Sequence, residues 1–170
     1  MAQIPRIRRI GVDGLERVRE LALMIWPKCY RNIIPPDRID GMLATLYSLD
    51  ALEQEMMVNG HVFWLAQVGS FDVGYASACL TGDRLWLKKL YVMNDYRGLS
   101  IGQLFMAEAL AAFPQARQFA LNVNHDNVPA INYYLKNGFA VEAKLAVRMG
   151  PYDFTDLVMV KDIEAVARTA

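Results

Sequence analysis

The sequence is poor in the residues that metal and redox sites require. Its 170 residues include two cysteines, Cys29 and Cys79, and two histidines. The cysteines form no CxxC pair and no Cys/His cluster, so we expect neither a metal site nor a redox centre. Cys79 lies in an apolar, strand-like segment, where a small buried side chain is the simplest interpretation.

An excess of charge of one sign is also missing. Lys plus Arg and Asp plus Glu each total 18, which gives a formal net charge of +0. This balance argues against a surface for nucleic acid or for an anionic membrane. The N-terminus has no apolar signal core, and no apolar run approaches the roughly 18 residues that a membrane helix needs. We therefore expect a cytoplasmic protein that binds neither nucleic acid nor a membrane.

The remaining pattern predicts one domain over residues 1–170, because no linker, repeat or low-complexity tract interrupts it. A short strand and three helices come first, and strand and helix patterns then alternate. A meander followed by β-α-β-α-β-β predicts an α/β fold around a mixed sheet. The predicted strands are 4–10, 61–68, 73–80, 84–93, 118–124, 139–149 and 154–161, and the later helices are 101–112 and 128–137.

Capping spacings set the predicted starts of two N-terminal helices. Asp13 and Glu16 have the spacing of a capping box, and the first helix is expected to end at Pro27. Asp50 and Glu53 repeat this spacing at the start of the third helix. The second helix is expected to begin at the Pro-Pro pair 35–36.

The segment Arg97-Gly98-Leu99-Ser100-Ile101-Gly102 joins a predicted strand to a predicted helix. Free N–H groups and the dipole of a helix N-terminus favour anions there. The small residues allow the backbone to approach a pyrophosphate, and the arginine can add a charge-assisted contact. A plain strand-turn-helix corner fits these residues equally well. Neither a Walker loop nor a GxGxxG fingerprint is present.

Two segments together resemble the GCN5-related N-acetyltransferase (GNAT) family. The family's acetyl-CoA motif, Gln/Arg-x-x-Gly-x-Gly/Ala, is similar to 97–102, with Ser100 in place of one glycine. Its second motif is Asn-x-x-Ala-aliphatic-x-x-Tyr-x-x-x-Gly-Phe. The matching residues here are Asn127, Ala130, Ile131, Tyr134, Gly138 and Phe139.

The resemblance implies a GNAT-type fold, with N-terminal helices and a central mixed, largely antiparallel sheet in which two neighbouring parallel strands splay apart. It implies acetyl-CoA as cosubstrate and no metal. The backbone groups of Leu90 and Val92 would pair with the pantetheine arm, and Asn127 would hydrogen-bond the cofactor. The residues expected to bind the cofactor are Leu90, Tyr91, Val92, Arg97, Gly98, Leu99, Ser100, Ile101, Gly102, Asn127 and Tyr134.

By the same resemblance, an amine attacks the thioester directly and Tyr134 is the general acid for the departing thiolate. Without the family match, a buried core tyrosine is the simpler interpretation of Tyr134. Many relatives carry a glutamate base on the strand before the loop, but residues 87–90 here contain no carboxylate. His125 is the candidate base, although a solvated turn histidine fits as well. Glu142 and ordered water are the alternatives.

The acceptor is expected to be a small amine or a polyamine, because the tail 148–161 is similar to the ending of the polyamine-type branch of the family. Aromatic residues at 26–30 and Trp64 are candidates to wall an acceptor slot. Four acidic residues could attract a cation or could form a solvated helix face, and these are Asp37, Asp40, Glu53 and Glu55.

Three further interpretations stay open. The chain could be a protein N-terminal acetyltransferase, which would need an open peptide groove. It could instead be a non-catalytic acetyl-CoA-binding sensor, or a purely structural module. A homodimer is expected because the late strands often pair between subunits in relatives.

Overall fold

The computed structural model describes residues 3–149 and 151–163, so Gly150 and both ends of the expected domain lie outside the described residues. In chain order the elements are β1 (Arg6–Ile10), α1 (Leu15–Cys29), α2 (Pro36–Leu46), α3 (Leu49–Met57), β2 (Val62–Val68), β3 (Phe71–Thr81), β4 (Arg84–Val92), α4 (Ile101–Ala112), β5 (Gln118–Asn124), α5 (Val128–Lys136), β6 (Ala140–Met149) and β7 (Tyr152–Asp162). The predicted order, in which a short strand and three helices precede the remaining strands, is confirmed. The predicted bounds of α4 and β5 coincide with the structure.

The strands form one mixed sheet in the order β1-β2-β3-β4-β5-β7-β6. β4 and β5 are parallel, and every other pair of neighbours is antiparallel. The connection from β4 to β5 runs through α4, because parallel neighbours need a crossover. The predicted mixed, largely antiparallel sheet is therefore confirmed.

Helices cover both faces of this sheet. One hydrophobic cluster joins the sheet to α4 and α5, through Phe105 and Tyr134 among others. The second cluster joins the other face to α1, α2 and α3. The alternation of side chains along β2 shows the division, because Trp64 lies in the first cluster and Phe63 and Leu65 in the second.

The predicted caps of α1 and α3 are wrong. A short 3-10 turn at Val12–Gly14 precedes α1, whose N-cap Gly14 makes no side-chain cap. The N-cap of α3 is Ser48, whose hydroxyl accepts a hydrogen bond from the Ala51 N–H at 3.1 Å. Asp13 lies within the 3-10 turn and Asp50 within the first turn of α3, so neither aspartate occupies the N-cap position.

The predicted end of α1 at Pro27 is also wrong, because the helix continues to Cys29. Proline removes one helical hydrogen bond, but the Tyr30 N–H still donates to the Trp26 carbonyl at 3.0 Å. Trp26 is 6% exposed in the second cluster. This burial offsets the local cost of the proline.

Candidate active site

The parallel strands β4 and β5 separate part-way along their length. They pair from Arg84 opposite Gln118 to Leu87 opposite Leu121, and among the described residues no further pair follows. A bulge against β3 lies at the same place, because Ala78 pairs with Leu87 and Ser77 with Lys89. A bulge bends and twists its strand, so β4 turns away from β5 beyond residue 87. The splay that the family resemblance implied is present.

The splay leaves one edge of β4 without a strand partner. The Met93 N–H donates to the Val73 carbonyl at 2.8 Å, on the β3 side. A Cβ on Gly74 would meet the Tyr91 carbonyl oxygen at 2.7 Å, so this carbonyl also faces β3. Because backbone groups alternate along a strand, the N–H and C=O groups of Leu90 and Val92 face the gap.

The loop before α4 presents a run of free backbone donors. Ser100 is the N-cap, in the left-handed region at φ 61, and its side chain does not cap the helix. Gly98 is also left-handed, at φ 87. Among the described residues, no acceptor is recorded for the N–H groups of residues 98–103. Such a concave run at a helix N-terminus is a site for an anion.

Helix α5 holds Tyr134 at the cavity. Asn127 caps this helix, with its Oδ1 accepting from the Ala130 N–H at 3.3 Å. The Tyr134 ring is 8% exposed and packs edge-on against Phe139. No hydrogen bond to its hydroxyl is recorded from the described residues. Burial, helped by nearby Tyr91, raises the pKa of Tyr134 well above its ordinary value, so it stays protonated at neutral pH.

A cavity of about 710 Å³ fills the gap between β4 and β5. It brings together ten of the residues predicted from sequence, which are Leu90, Tyr91, Val92, Arg97, Gly98, Ser100, Ile101, Gly102, Asn127 and Tyr134. Leu99 does not line the cavity and is 39% exposed. His125 does not line it either, and its Nε2 lies 3.3 Å from Asp126 Oδ2.

Aromatic side chains line the cavity on the α1–α3 side. The rings of Trp26 and Tyr30 lie 4.8 Å apart, and the hydroxyls of Tyr30 and Tyr91 are 2.8 Å apart. Burial raises the pKa of both tyrosines, so both are neutral at physiological pH. The aromatic residues predicted at 26–30 therefore line the cavity. The expectation for Trp64 is wrong, because its side chain points to the opposite face of the sheet.

Of the four acidic residues considered for a cation, only Glu55 lines the cavity, while Asp37, Asp40 and Glu53 are exposed. Glu142, an alternative base, is at the sheet edge and pairs with Arg84 at 2.9 Å. A carboxylate that sequence reasoning missed, Asp156, also lines the cavity. Its one signal in the sequence is that it is the only charged residue within the apolar run 154–160.

Two other features of the described residues bear on function. The described residues contain no group of three or more His, Cys, Asp or Glu side chains placed to hold a metal ion. None of their helices combines the length and the apolar character needed to cross a bilayer.

A family model described as an acetyltransferase (GNAT) domain matches residues 59–141. This range includes the splayed strands, the 97–102 loop and α5. The chain carries a GNAT acetyltransferase domain. The predicted family and the predicted enzyme class, an acetyltransferase, are therefore confirmed.

Similar proteins agree with this assignment. The acetyltransferase is 24% identical over 165 residues to a spermidine N(1)-acetyltransferase of Thermoplasma acidophilum, across 94% of this chain and 98% of the relative. Its fold resembles the PaiA N-acetyltransferase of the same organism, solved in complex with coenzyme A, with a TM-score of 0.79 and 24% identity over 96% of this chain and 100% of the other. A GCN5-related N-acetyltransferase from Rhodopseudomonas palustris gives a TM-score of 0.77 and 18% identity, over 96% and 99%.

Proposed function

We propose that this acetyltransferase moves an acetyl group from acetyl-CoA to a primary amine of a polyamine or other small amine. The observation that carries the proposal is the shared cavity, which is bordered by the free N–H groups of 98–103, the open edge of β4 and the side chain of Tyr134. The similarity to a spermidine N(1)-acetyltransferase supports a polyamine acceptor. A fold neighbour in complex with coenzyme A supports acetyl-CoA as cosubstrate.

The residues of the cavity fit the chemistry of acetyl-CoA. The N–H groups of 98–103 and the Arg97 guanidinium match a pyrophosphate. The open edge at Leu90 and Val92 offers a donor and an acceptor to the amides of a pantetheine arm, as an added strand would receive them. The Asn127 Oδ1 is used in capping, which leaves its amide N–H groups to donate to the cofactor.

Acetyl-CoA supplies a thioester carbonyl, which a neutral amine can attack directly. Backbone N–H groups at the splay are placed to stabilise the charge that develops on the carbonyl oxygen. Tyr134 then donates its phenolic proton to the departing sulfur. His125 lies outside the cavity lining, so we assign it no step.

A free-thiol assay with acetyl-CoA and a panel of amines tests the proposal. The panel contains spermidine, spermine, simple monoamines, amino acids, aminoglycosides and short peptides with free N-termini. We expect polyamines to give the highest kcat/KM. A preference for peptides would instead support a protein N-terminal acetyltransferase. Acetyl-CoA binding without thiol release for any amine would support a sensor, and no binding at all would leave a structural module.

A further inference from the structure

The described lining of the cavity contains two carboxylates, Glu55 and Asp156. Glu55 is already paired, because its carboxylate lies 3.1 Å from the Lys89 ammonium. The ammonium also lies 5.1 Å from the centre of the Tyr47 ring, so several groups hold this pair together. Glu55 therefore brings no net negative charge to an incoming amine.

Asp156 differs from Glu55 because its carboxylate has no such partner. It is half-buried on β7, and no hydrogen bond or ion pair of its side chain is recorded with the described residues. In the sheet it pairs with Asn124, the last residue of β5, and with Leu145 of β6. It thus lies at the wide end of the splay.

Asp156 and Tyr134 approach the cavity from opposite faces of the sheet. Side chains alternate along β7, so Asp156 shares a face with Phe154, which packs with the α1–α3 cluster. Leu157 belongs with the α4–α5 cluster, which contains Tyr134. The gap between β4 and β5 connects the two faces. A thioester held in the gap would have a phenol on one side and a carboxylate on the other.

We propose that the Asp156 carboxylate binds the ammonium group of the acceptor and takes a proton from it, a role that rests on the proposed amine acetylation. A half-buried carboxylate that forms no ion pair among the described residues attracts an ammonium ion strongly, since little water screens it. The rings of Trp26, Tyr30 and Tyr91 line the same cavity, and aromatic faces also attract ammonium ions. Together they form an acceptor site on the α1–α3 face.

The proton balance is complete with these two residues. Asp156 takes one proton from the ammonium, which leaves a neutral amine with a lone pair, and later returns that proton to water. The amine nitrogen forms its bond to the carbonyl carbon as the carbon–sulfur bond breaks. Tyr134 gives its proton to the thiolate and regains one from the nitrogen of the new amide. The products are the amide, the thiol and one proton in solution.

The surroundings of Asp156 set the pH range in which it can act. Burial raises the pKa of this carboxyl from its ordinary value, and His125 at the end of β5 opposes the shift. Tyr91 faces it from β4, Cys29 and Tyr30 line the cavity at the end of α1, and its neighbour on β6 is Leu145. Only the ionised carboxylate can accept the proton, so acceptor turnover should fall as pH drops through this raised pKa.

Asp156→Asn is the main test, because asparagine has nearly the same shape but neither charge nor basicity. With spermidine at neutral pH we expect kcat/KM to fall about 100-fold or more, the usual range for loss of a general base. The dissociation constant of acetyl-CoA should stay within about twofold of wild type. The acidic limb of the kcat/KM pH profile should disappear, and Asp156→Glu should recover part of the activity. Asp153→Asn, on the exposed side of the same strand, is the matched control and should behave as wild type.

The outcomes separate this inference from the proposed function. If wild-type protein releases no thiol with any amine, the proposed function fails. If wild type is active and Asp156→Asn retains kcat/KM within about threefold, the inference alone is overturned. A rise in KM with unchanged kcat would also overturn it, because the proton step would then not need Asp156.

Discussion

Replacement of Tyr134 by phenylalanine is the most direct test of the proposed chemistry. The change removes one hydroxyl and keeps the ring, which packs against Phe139 at 5.7 Å and Tyr133 at 5.5 Å between ring centres. No hydrogen bond from the described residues to this hydroxyl is recorded, so its removal leaves no protein donor or acceptor unpaired. The free energy of unfolding should therefore change by less than about 0.5 kcal/mol.

The catalytic effect of Tyr134→Phe should be far larger. A positioned general acid contributes about 100- to 10,000-fold to rate, or roughly 3–5 kcal/mol of barrier. The raised pKa keeps Tyr134 protonated through the neutral range, so the whole population of enzyme can donate the proton. We expect kcat to fall at least about 100-fold at pH 7–8, with acetyl-CoA affinity within about twofold of wild type.

The assay pairs thiol release with calorimetric titration of acetyl-CoA, and Tyr133→Phe provides the matched control. The Tyr133 hydroxyl is buried with no recorded partner among the described residues and lies against Gly102. Its removal should leave kcat within about threefold of wild type. The free energy of unfolding should stay equal or rise slightly, because an unpaired buried hydroxyl is lost. Equal kcat values for the two variants would refute the assignment of Tyr134 as the acid.

Three further predictions concern stability. Ser100→Gly relieves a left-handed φ of 61 and should raise the free energy of unfolding in urea by about 0.5–1 kcal/mol, whereas no change would mean that the loop holds no strain. Lys89→Met leaves the Glu55 carboxylate unpaired beside the cavity, so the free energy of unfolding should fall by about 2 kcal/mol. The double variant Lys89→Met/Glu55→Gln should recover most of this loss. Burial lowers the pKa of His61 below its ordinary 6.5, so the unfolded state binds more protons and stability should fall as pH drops below 6.5. In urea titrations, the free energy of unfolding of His61→Gln should fall less steeply with decreasing pH than that of wild type. The same pH dependence in both proteins would contradict this prediction.

Most of the sheet, and the loop and helix that carry the two motifs, could be predicted from the sequence. The predicted bounds of α4 and β5 match the structure because local preference and tertiary position agree there. The starts of α1 and α3 were misplaced because Asp13 and Asp50 are as good caps, taken alone, as the residues that the fold selects. Local chemistry does not decide between caps that are one or two positions apart.

The proposed acceptor side of the site was harder to predict for a different reason. Its residues come from α1, α3, β4 and β7, and no single segment contains a recognisable motif. Asp156 becomes a candidate only when the order β5-β7-β6 places it beside the end of β5. Trp64 was instead predicted at the cavity and does not reach it. A one-residue step along β2 moves a side chain to the other face of the sheet.

The unpaired edges at the splay favour binding of a ligand between β4 and β5. Beyond Leu87, β4 keeps its ladder to β3 as far as Val92, and β5 keeps its ladder to β7 as far as Asn124. Each strand therefore retains one ladder, and the facing edges stay unpaired. Unpaired backbone groups in a narrow gap cost free energy unless water or a ligand satisfies them. A pantetheine arm carries amides at intervals that suit a strand edge, so its binding would remove this cost and fix the thioester between the two faces from which Tyr134 and Asp156 approach.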